Sequence, residues 1–236
     1  LAGGPPGLAV LARSRFQAER ALGQLVAQWV AGEAGTFSDA DIDRELQTAL
    51  EDFSAGHRYR NVGDVDAVFE LPERSDTARS LTADYAVPFL AHAAMEPLAC
   101  AVKFETDRAT VWAGVQIPDV ARSAAAKVFE LDAEQVTLES LYLGGAFGRR
   151  LEADFIAQAA AIAKAAPGRL VQVSWRREDD TRNDFYRPGA VARGEGAVAD
   201  GRIVALHSRS ACQSATVAVT ARLIGFAPPG PDKSAV

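Results

Sequence analysis

Four short stretches carry groups able to do chemistry. The first is "LYLGGAFGRRLEADF", residues 141–155, where three glycines surround a phenylalanine and two arginines follow. It joins a β-rich run to a helical run. A loop in that place offers free backbone N–H groups, and the dipole of the following helix adds partial positive charge. Together these make an anion site. Gly144 and Gly145 let the backbone approach a ligand closely and tolerate positive φ. Arg149 and Arg150 add charge suited to phosphate. The same glycines would equally serve a tight corner between two packed elements. Neither GxxxxGK[ST] nor GxGxxG is present.

The second stretch is "REDDTRNDFYRPGA", residues 177–190. A charge run of this kind reads as solvated surface. Its end differs, because Phe185 and Tyr186 precede Arg187, and an arginine beside aromatics on a loop suits an anionic ligand. The third is "AHAAMEPLACAV", residues 91–102, with His92 and Glu96 four apart. On a helix that spacing would put a metal ligand pair or an acid–base pair on one face. Pro97 argues against a long helix and no third ligand is near, so a structural histidine is the favoured reading. The fourth is Gln116 in "VWAGVQIPD", a neutral amide able to donate without bringing charge. His57 and His207 are isolated and receive no role.

The elements that would position these groups can be read along the chain. "GLAVLAR" (7–13) reads as a short strand, and "SRFQAERALGQLVAQWV" (14–30) as a helix with Ser14 and Gln17 at capping-box spacing. Phe16, Leu22, Leu25 and Trp29 fall near one face of that helix. A second helix starts at Ser38 as N-cap, with Ile42, Leu46 and Leu50 repeating at i+4. Residues 54–64 read as a linker. Beyond them, 84–92, 109–116, 136–143 and 169–176 read as extended, with helices from Pro118 and over 150–166. Leu151, Phe155, Ala159 and Ile162 are the expected buried stripe of the last helix. Asp200-Gly201 closes a hairpin. The fold class is α+β, with mixed α/β layers of helix on sheet.

Composition bounds the function. The chain has 236 residues, 48% of them hydrophobic, enough for one large domain or two smaller ones. A net charge of −6 argues against a nucleic-acid surface. No apolar run reaches the ~18 residues of a membrane span. Cys100 and Cys212 are too few for a disulfide framework and read as two buried thiols. Residue 1 is leucine, no signal-peptide pattern is present, and the run "FAPPGPDKSAV" closes the chain in a loop. Both ends read as cuts in a longer protein. Compartment stays open, since an export signal would precede residue 1.

In order, "PFLAHAAMEPLACAV", "VWAGVQIPD", "LGGAFGRRLEADF" and "WRREDDTRNDFYRPGA" resemble the molybdopterin-binding subunit of the xanthine oxidase/aldehyde oxidase family. The resemblance is nearest to the isoquinoline 1-oxidoreductase β-subunit type and runs from about Asp84 to Ser210, more weakly through "GDVDAVFE" (63–70). It implies a partial hammerhead-like α/β segment over 1–78, followed over 79–236 by the first part of the molybdenum cofactor-binding domain.

It further implies that Gln116 hydrogen-bonds an oxo ligand of the metal, and that Gly144, Gly145, Ala146, Phe147 and Gly148 form the loop facing the cofactor. Ala146 stands where many members have a third glycine. Glu152 and Arg187 fall in the substrate pocket. The implied cofactor is molybdopterin with molybdenum, in its cytosine dinucleotide form. The implied reaction is oxidative hydroxylation of an N-heteroaromatic or aldehyde substrate, with water as oxygen source. The family's base is a glutamate in a GE motif nearer the C-terminus of the large subunit, so no catalytic residue and no direct metal ligand is expected in this chain. Two cysteines cannot hold an iron–sulfur cluster, and a small two-cluster [2Fe-2S] subunit is the expected partner. The alternatives are a non-catalytic folding or docking module and a simple nucleotide-binding domain.

Overall fold

The computed structural model describes residues 7–30, 32–69, 79–227, 229, 230 and 232. The last residue of the 63–70 stretch, residue 78 at the expected boundary, and part of the closing run from 226 lie outside them. The chain forms two compact units. Unit 1 comprises Leu1–Val30 and Ala91–Phe185, and unit 2 comprises Ala31–Leu90 and Tyr186–Val236. The units interleave along the chain, whereas the sequence boundary at 78/79 divides it linearly.

Unit 1 is built on a four-stranded mixed sheet. Its central strands are β2 (Ala99–Glu105) and β3 (Arg108–Ala113), paired antiparallel from Cys100↔Ala113 to Glu105↔Arg108. Cys100, Val102 and Phe104 alternate inward, as do Ala109, Val111 and Ala113. This is the period of two that buries one face of a strand. Strand β5 (Leu170–Ser174) lies antiparallel on the other side of β2, and β4 (Val136–Ser140) lies parallel to β3. A parallel pair needs a crossover, and helix α4 (Pro118–Phe129) supplies it, with proline at N1 where no N–H is required. Helix α5 (Asp154–Lys164) links β4 to β5 and packs on α4 and β2. The contact faces are alanine-rich (Ala121, Ala125, Ala159, Ala160 and Ala163 are buried), and small residues let helix and sheet approach closely. Phe104 and Phe129 stack at 4.4 Å between ring centroids.

Several sequence expectations hold here and others fail. Strand β2 departs from the sequence reading, because Pro97 just before it masks the alternation of "LACAVKFE". No strand forms over 7–13. Helix α1 (Arg15–Leu22) starts where Ser14 accepts the Gln17 N–H at 3.3 Å but stops at Gly23, so Leu25 and Trp29 are not on it and stay exposed. Helix α5 begins at Asp154 rather than Arg150, because Arg149–Leu151 wind as a 3-10 turn behind Gly148. The short helix α6 (Arg177–Arg182) occupies the charge run.

Unit 2 is a three-stranded antiparallel sheet in the order β1 (Arg79–Val87), β6 (Ala190–Ala199), β7 (Arg202–Cys212). Asp200 and Gly201, at φ 49° and 74°, form the expected hairpin turn with both central residues left-handed. Helix α2 (Asp39–Glu51) starts at Ser38, whose N–H and Oγ both meet the Asp41 carboxylate. Its Leu46 and Leu50 pack on Val191 and Ala211. Arg193 joins Asp84 and Glu51 across the same face at 2.7 and 3.0 Å. Two helices not anticipated, α3 (Val65–Phe69) and α7 (Ala215–Ile224), complete the unit. Cys100 is buried as expected, but Cys212, on the last residue of edge strand β7, is exposed.

Candidate functional site

The glycine loop leaves β4 and returns through the 3-10 turn into α5, all within unit 1. Gly144 and Glu96 exchange two hydrogen bonds. The Gly144 N–H donates to Glu96 Oε2 at 2.8 Å, and the Glu96 N–H donates to the Gly144 carbonyl at 3.0 Å. A Cβ on Gly144 would lie 2.4 Å from Glu96 Cβ, so only glycine fits this approach. Gly145, Phe147 and Gly148 then take positive φ of 105°, 53° and 103°. The loop's next four N–H groups, from Gly145 to Gly148, have no acceptor among the described residues. Phe147 is 77% exposed and projects from the same turn.

The two arginines are not free for an anion. Arg150 is buried and donates to the carbonyls of Gly114, Gly145 and Glu96 at 3.0, 3.2 and 3.2 Å, and to Glu96 Oε2 at 2.9 Å. Arg149, also buried, forks onto both oxygens of Asp154 at 2.8 and 2.7 Å. It lies 3.1 Å from Asp184 Oδ1, with the rings of Trp175 and Phe185 at 5.5 and 5.0 Å. The expectation that both add charge for phosphate is therefore corrected. Buried guanidinium groups are retained where several acceptors satisfy their forks.

His92, read from sequence as a structural histidine, is tied to Asp184. Its Nδ1 meets Asp184 Oδ1 at 2.8 Å, and its backbone N–H donates to Asp184 Oδ2 at 2.6 Å. Residues 91–98 form no helix, so His92 and Glu96 share no helix face. Asp180 is buried, and the Asp184 side chain is only 3% exposed, although the run 177–190 reads as surface. Arg177 holds Asp180 at 2.6 Å and donates to the carbonyls of Ala94 and Met95. Among the described residues no three His, Cys, Asp or Glu side chains gather as a metal site.

Gln116 follows β3 on the exposed surface, and its N–H donates to the Arg150 carbonyl at 3.0 Å. The structure thus brings Gln116 to the same arginine that holds Gly145. Glu152 directly follows the 3-10 turn and is 7% exposed. Arg187 belongs to unit 2, where its backbone exchanges hydrogen bonds with Leu90 at 2.9 and 3.2 Å. Sequence reasoning missed the locking roles of Glu96, Arg149, Arg150 and Asp184. The paired arginines after the last glycine are the available signal, but Glu96, Gly114 and Asp184, which complete their hydrogen bonding, lie tens of residues away.

A mixed sheet backed by helices, with a glycine loop at a strand end, is the arrangement from which α/β proteins build cofactor sites. The loop fits an oxygen-rich group, because four backbone donors without an acceptor among the described residues and an exposed neutral amide offer hydrogen bonds without a buried counter-charge. The chain belongs to the family of the molybdopterin cofactor-binding domain, whose sequence profile matches residues 50–224. It is 30% identical over 223 residues to isoquinoline 1-oxidoreductase subunit beta of Brevundimonas diminuta, a match covering 89% of this chain and 27% of that protein. It is 31% identical to the aldehyde oxidoreductase molybdenum-binding subunit PaoC of Escherichia coli O157:H7, covering 89% of this chain and 28% of that one. Among solved structures, a Cu,Mo-CO dehydrogenase in its carbon monoxide reduced state superposes with a TM-score of 0.51 at 18% identity, over 84% of this chain and 27% of its own. That likeness supports the mixed α/β fold. The chain thus spans little more than a quarter of the length of the relatives it matches. No helix among the described residues is long and apolar enough to cross a membrane.

Proposed function

We propose that the chain is part of the large subunit of a molybdenum hydroxylase that oxidatively hydroxylates an N-heteroaromatic or aldehyde substrate. The observation that carries the reading is the run of unpaired N–H groups from Gly145 to Gly148 beside exposed Gln116, in a chain of a cofactor-binding family. Gln116 and the backbone of Gly145, Ala146, Phe147 and Gly148 would hold the cofactor's oxygen and sulfur ligands, with Gly144 anchoring the loop from behind. When bound, the molybdenum cofactor supplies the redox centre and activates water near neutral pH. The chain's own contribution is orientation, through donors fixed before the group arrives, and exclusion of bulk water by the loop. Glu152 and Arg187 are assigned to the substrate side on the resemblance alone.

The finer assignments follow the same reading. The cofactor is the cytosine dinucleotide form, and electrons leave through a small subunit with two [2Fe-2S] clusters. The family's domain boundary falls at 78/79. The base that takes a proton lies in the longer polypeptide, outside these 236 residues. The isolated chain therefore holds no stoichiometric cofactor and turns nothing over.

The test is co-expression of the full-length gene with its neighbouring small-subunit gene. Molybdenum and pterin near one per large subunit are expected, with label from ¹⁸O-water entering the product of a heteroaromatic or aldehyde panel. Cofactor-free full-length protein would sink the reading in favour of a docking module. Strong thermal stabilisation of the 236-residue chain by a nucleotide would favour a nucleotide-binding domain instead.

A further inference from the structure

We infer that Arg150, held by Glu96, is a positioning residue that keeps Gln116 and the Gly145–Gly148 loop in one register. The geometry is independent of any ligand. The Arg150 side chain is 1% exposed, and its guanidinium grips three separate segments: Gly114 at the end of β3, Glu96 after residue 91, and Gly145 in the loop. Its own carbonyl accepts the Gln116 N–H at 3.0 Å. Glu96 closes the circuit by taking the Gly144 N–H and the Arg150 Nη2 on the same oxygen, Oε2. One residue therefore links the backbone of Gln116, through its main chain, to the loop, through its side chain. A lysine has one nitrogen at its tip and cannot reach three carbonyls in three directions, so charge alone does not replace the fork.

The consequence for catalysis rests on the function proposed above. With Gln116 and the loop both holding one cofactor, a shift of about 1 Å between them costs about 10- to 100-fold in rate with little change in substrate affinity. The backbone coupling itself does not rest on that reading, and the two can be tested apart.

Arg150→Lys and Glu96→Gln are made in the ¹⁵N-labelled 236-residue chain. In Arg150→Lys the amide resonances of Gln116 and of Gly145 to Gly148 move together, and hydrogen-exchange protection at Gln116 falls about tenfold. The amides of Ala159 and Ala160 in α5 stay put and report that the core is folded. Glu96→Gln keeps an acceptor for Gly144 and moves the loop resonances less. In the assembled enzyme Arg150→Lys lowers kcat about 10- to 100-fold with KM within about threefold. Loop resonances that move while Gln116 stays fixed, in either folded variant, overturn the inference. So do amides unchanged in both. If Arg150→Lys fails to fold, Glu96→Gln alone decides. A full-length wild type without molybdenum removes the catalytic consequence and leaves the amide test standing.

Discussion

Unit 1 and unit 2 both layer helices on a sheet, but they bury it very differently. Among the described residues, twenty apolar side chains form the continuous core of unit 1, from Leu98 to Val171. The corresponding cluster of unit 2 is Leu50, Val191 and Ala211, with Leu46 against it. All nine residues of β1 are exposed, and Leu81, Tyr85, Ile203 and Leu206 present large apolar surface. Burial of apolar area is the main favourable term in folding. Unit 1 can therefore hold strained, positive-φ backbone at Phe147 and two buried arginines, because its core over-determines them. Unit 2 relies more on its hairpin and on exposed ion pairs. Precision at the glycine loop is a property of the well-packed unit.

The sharpest way to break this comparison is a pair of core truncations. Phe155→Ala in unit 1 is expected to cost about 3–5 kcal/mol, and Leu50→Ala in unit 2 about 2 kcal/mol, since the smaller cluster can relax around the cavity. Urea titrations followed by tryptophan fluorescence for unit 1 and by hydrogen exchange for unit 2 measure both. A larger loss for Leu50→Ala reverses the ranking of the two cores.

A second pair contrasts two arginines. Arg149→Met leaves Asp184 buried without its cation, and about 3 kcal/mol should be lost. Arg193→Met removes a fork between two exposed carboxylates, Asp84 and Glu51, and should shift the midpoint only slightly. Equal losses would mean that burial does not distinguish them.

The two thiols make a third, milder test. Burial pushes the Cys100 thiol up to about 12, so the reactive thiolate is suppressed. Cys212 is exposed. One thiol per native chain should react with a thiol-specific reagent, and two after denaturation. Modification of Cys100 in the native chain would show that unit 1 opens easily.

The smallest effect is electrostatic. The hydrogen bond from Arg193 holds the Asp84 carboxyl below its ordinary value of 3.8. Because the folded value is the lower one, the contribution is fully present above the unfolded value and is lost as pH falls through the folded one. Wild type and Asp84→Asn should therefore converge in stability below that range and differ slightly above it. A difference that grows in acid would contradict the sign.

Much of this architecture is legible in short windows of sequence. Ser14 and Ser38 announce helix starts, Pro118 sits at a first helical turn, and Asp200-Gly201 closes a hairpin, because each works through neighbours within four residues. The glycine loop and Gln116 stand out by residue type and by position between elements. What misled was also local. The apolar run at 7–13 looks like a strand but pairs with none among the described residues, and the acidic run at 177–190 looks solvated although Asp180 is buried and the Asp184 side chain is 3% exposed, each against an arginine. Strand pairing and charge pairing are long-range events that no window contains.

The sequence by itself determined that a helix-and-sheet domain would form, that a glycine loop would stand between β4 and α5, and that its neighbours in chain order match one cofactor-binding family. Only the tertiary structure decided what the charged residues of that loop do. Arg150 meets Glu96 across 54 residues and Arg149 meets Asp184 across 35. Desolvation makes each arginine costly to bury unless acceptors surround it, and those acceptors come from separate strands and turns. The folded core therefore turned two apparent anion-binding cations into the clamps of a loop whose N–H groups from Gly145 to Gly148 have no acceptor among the described residues.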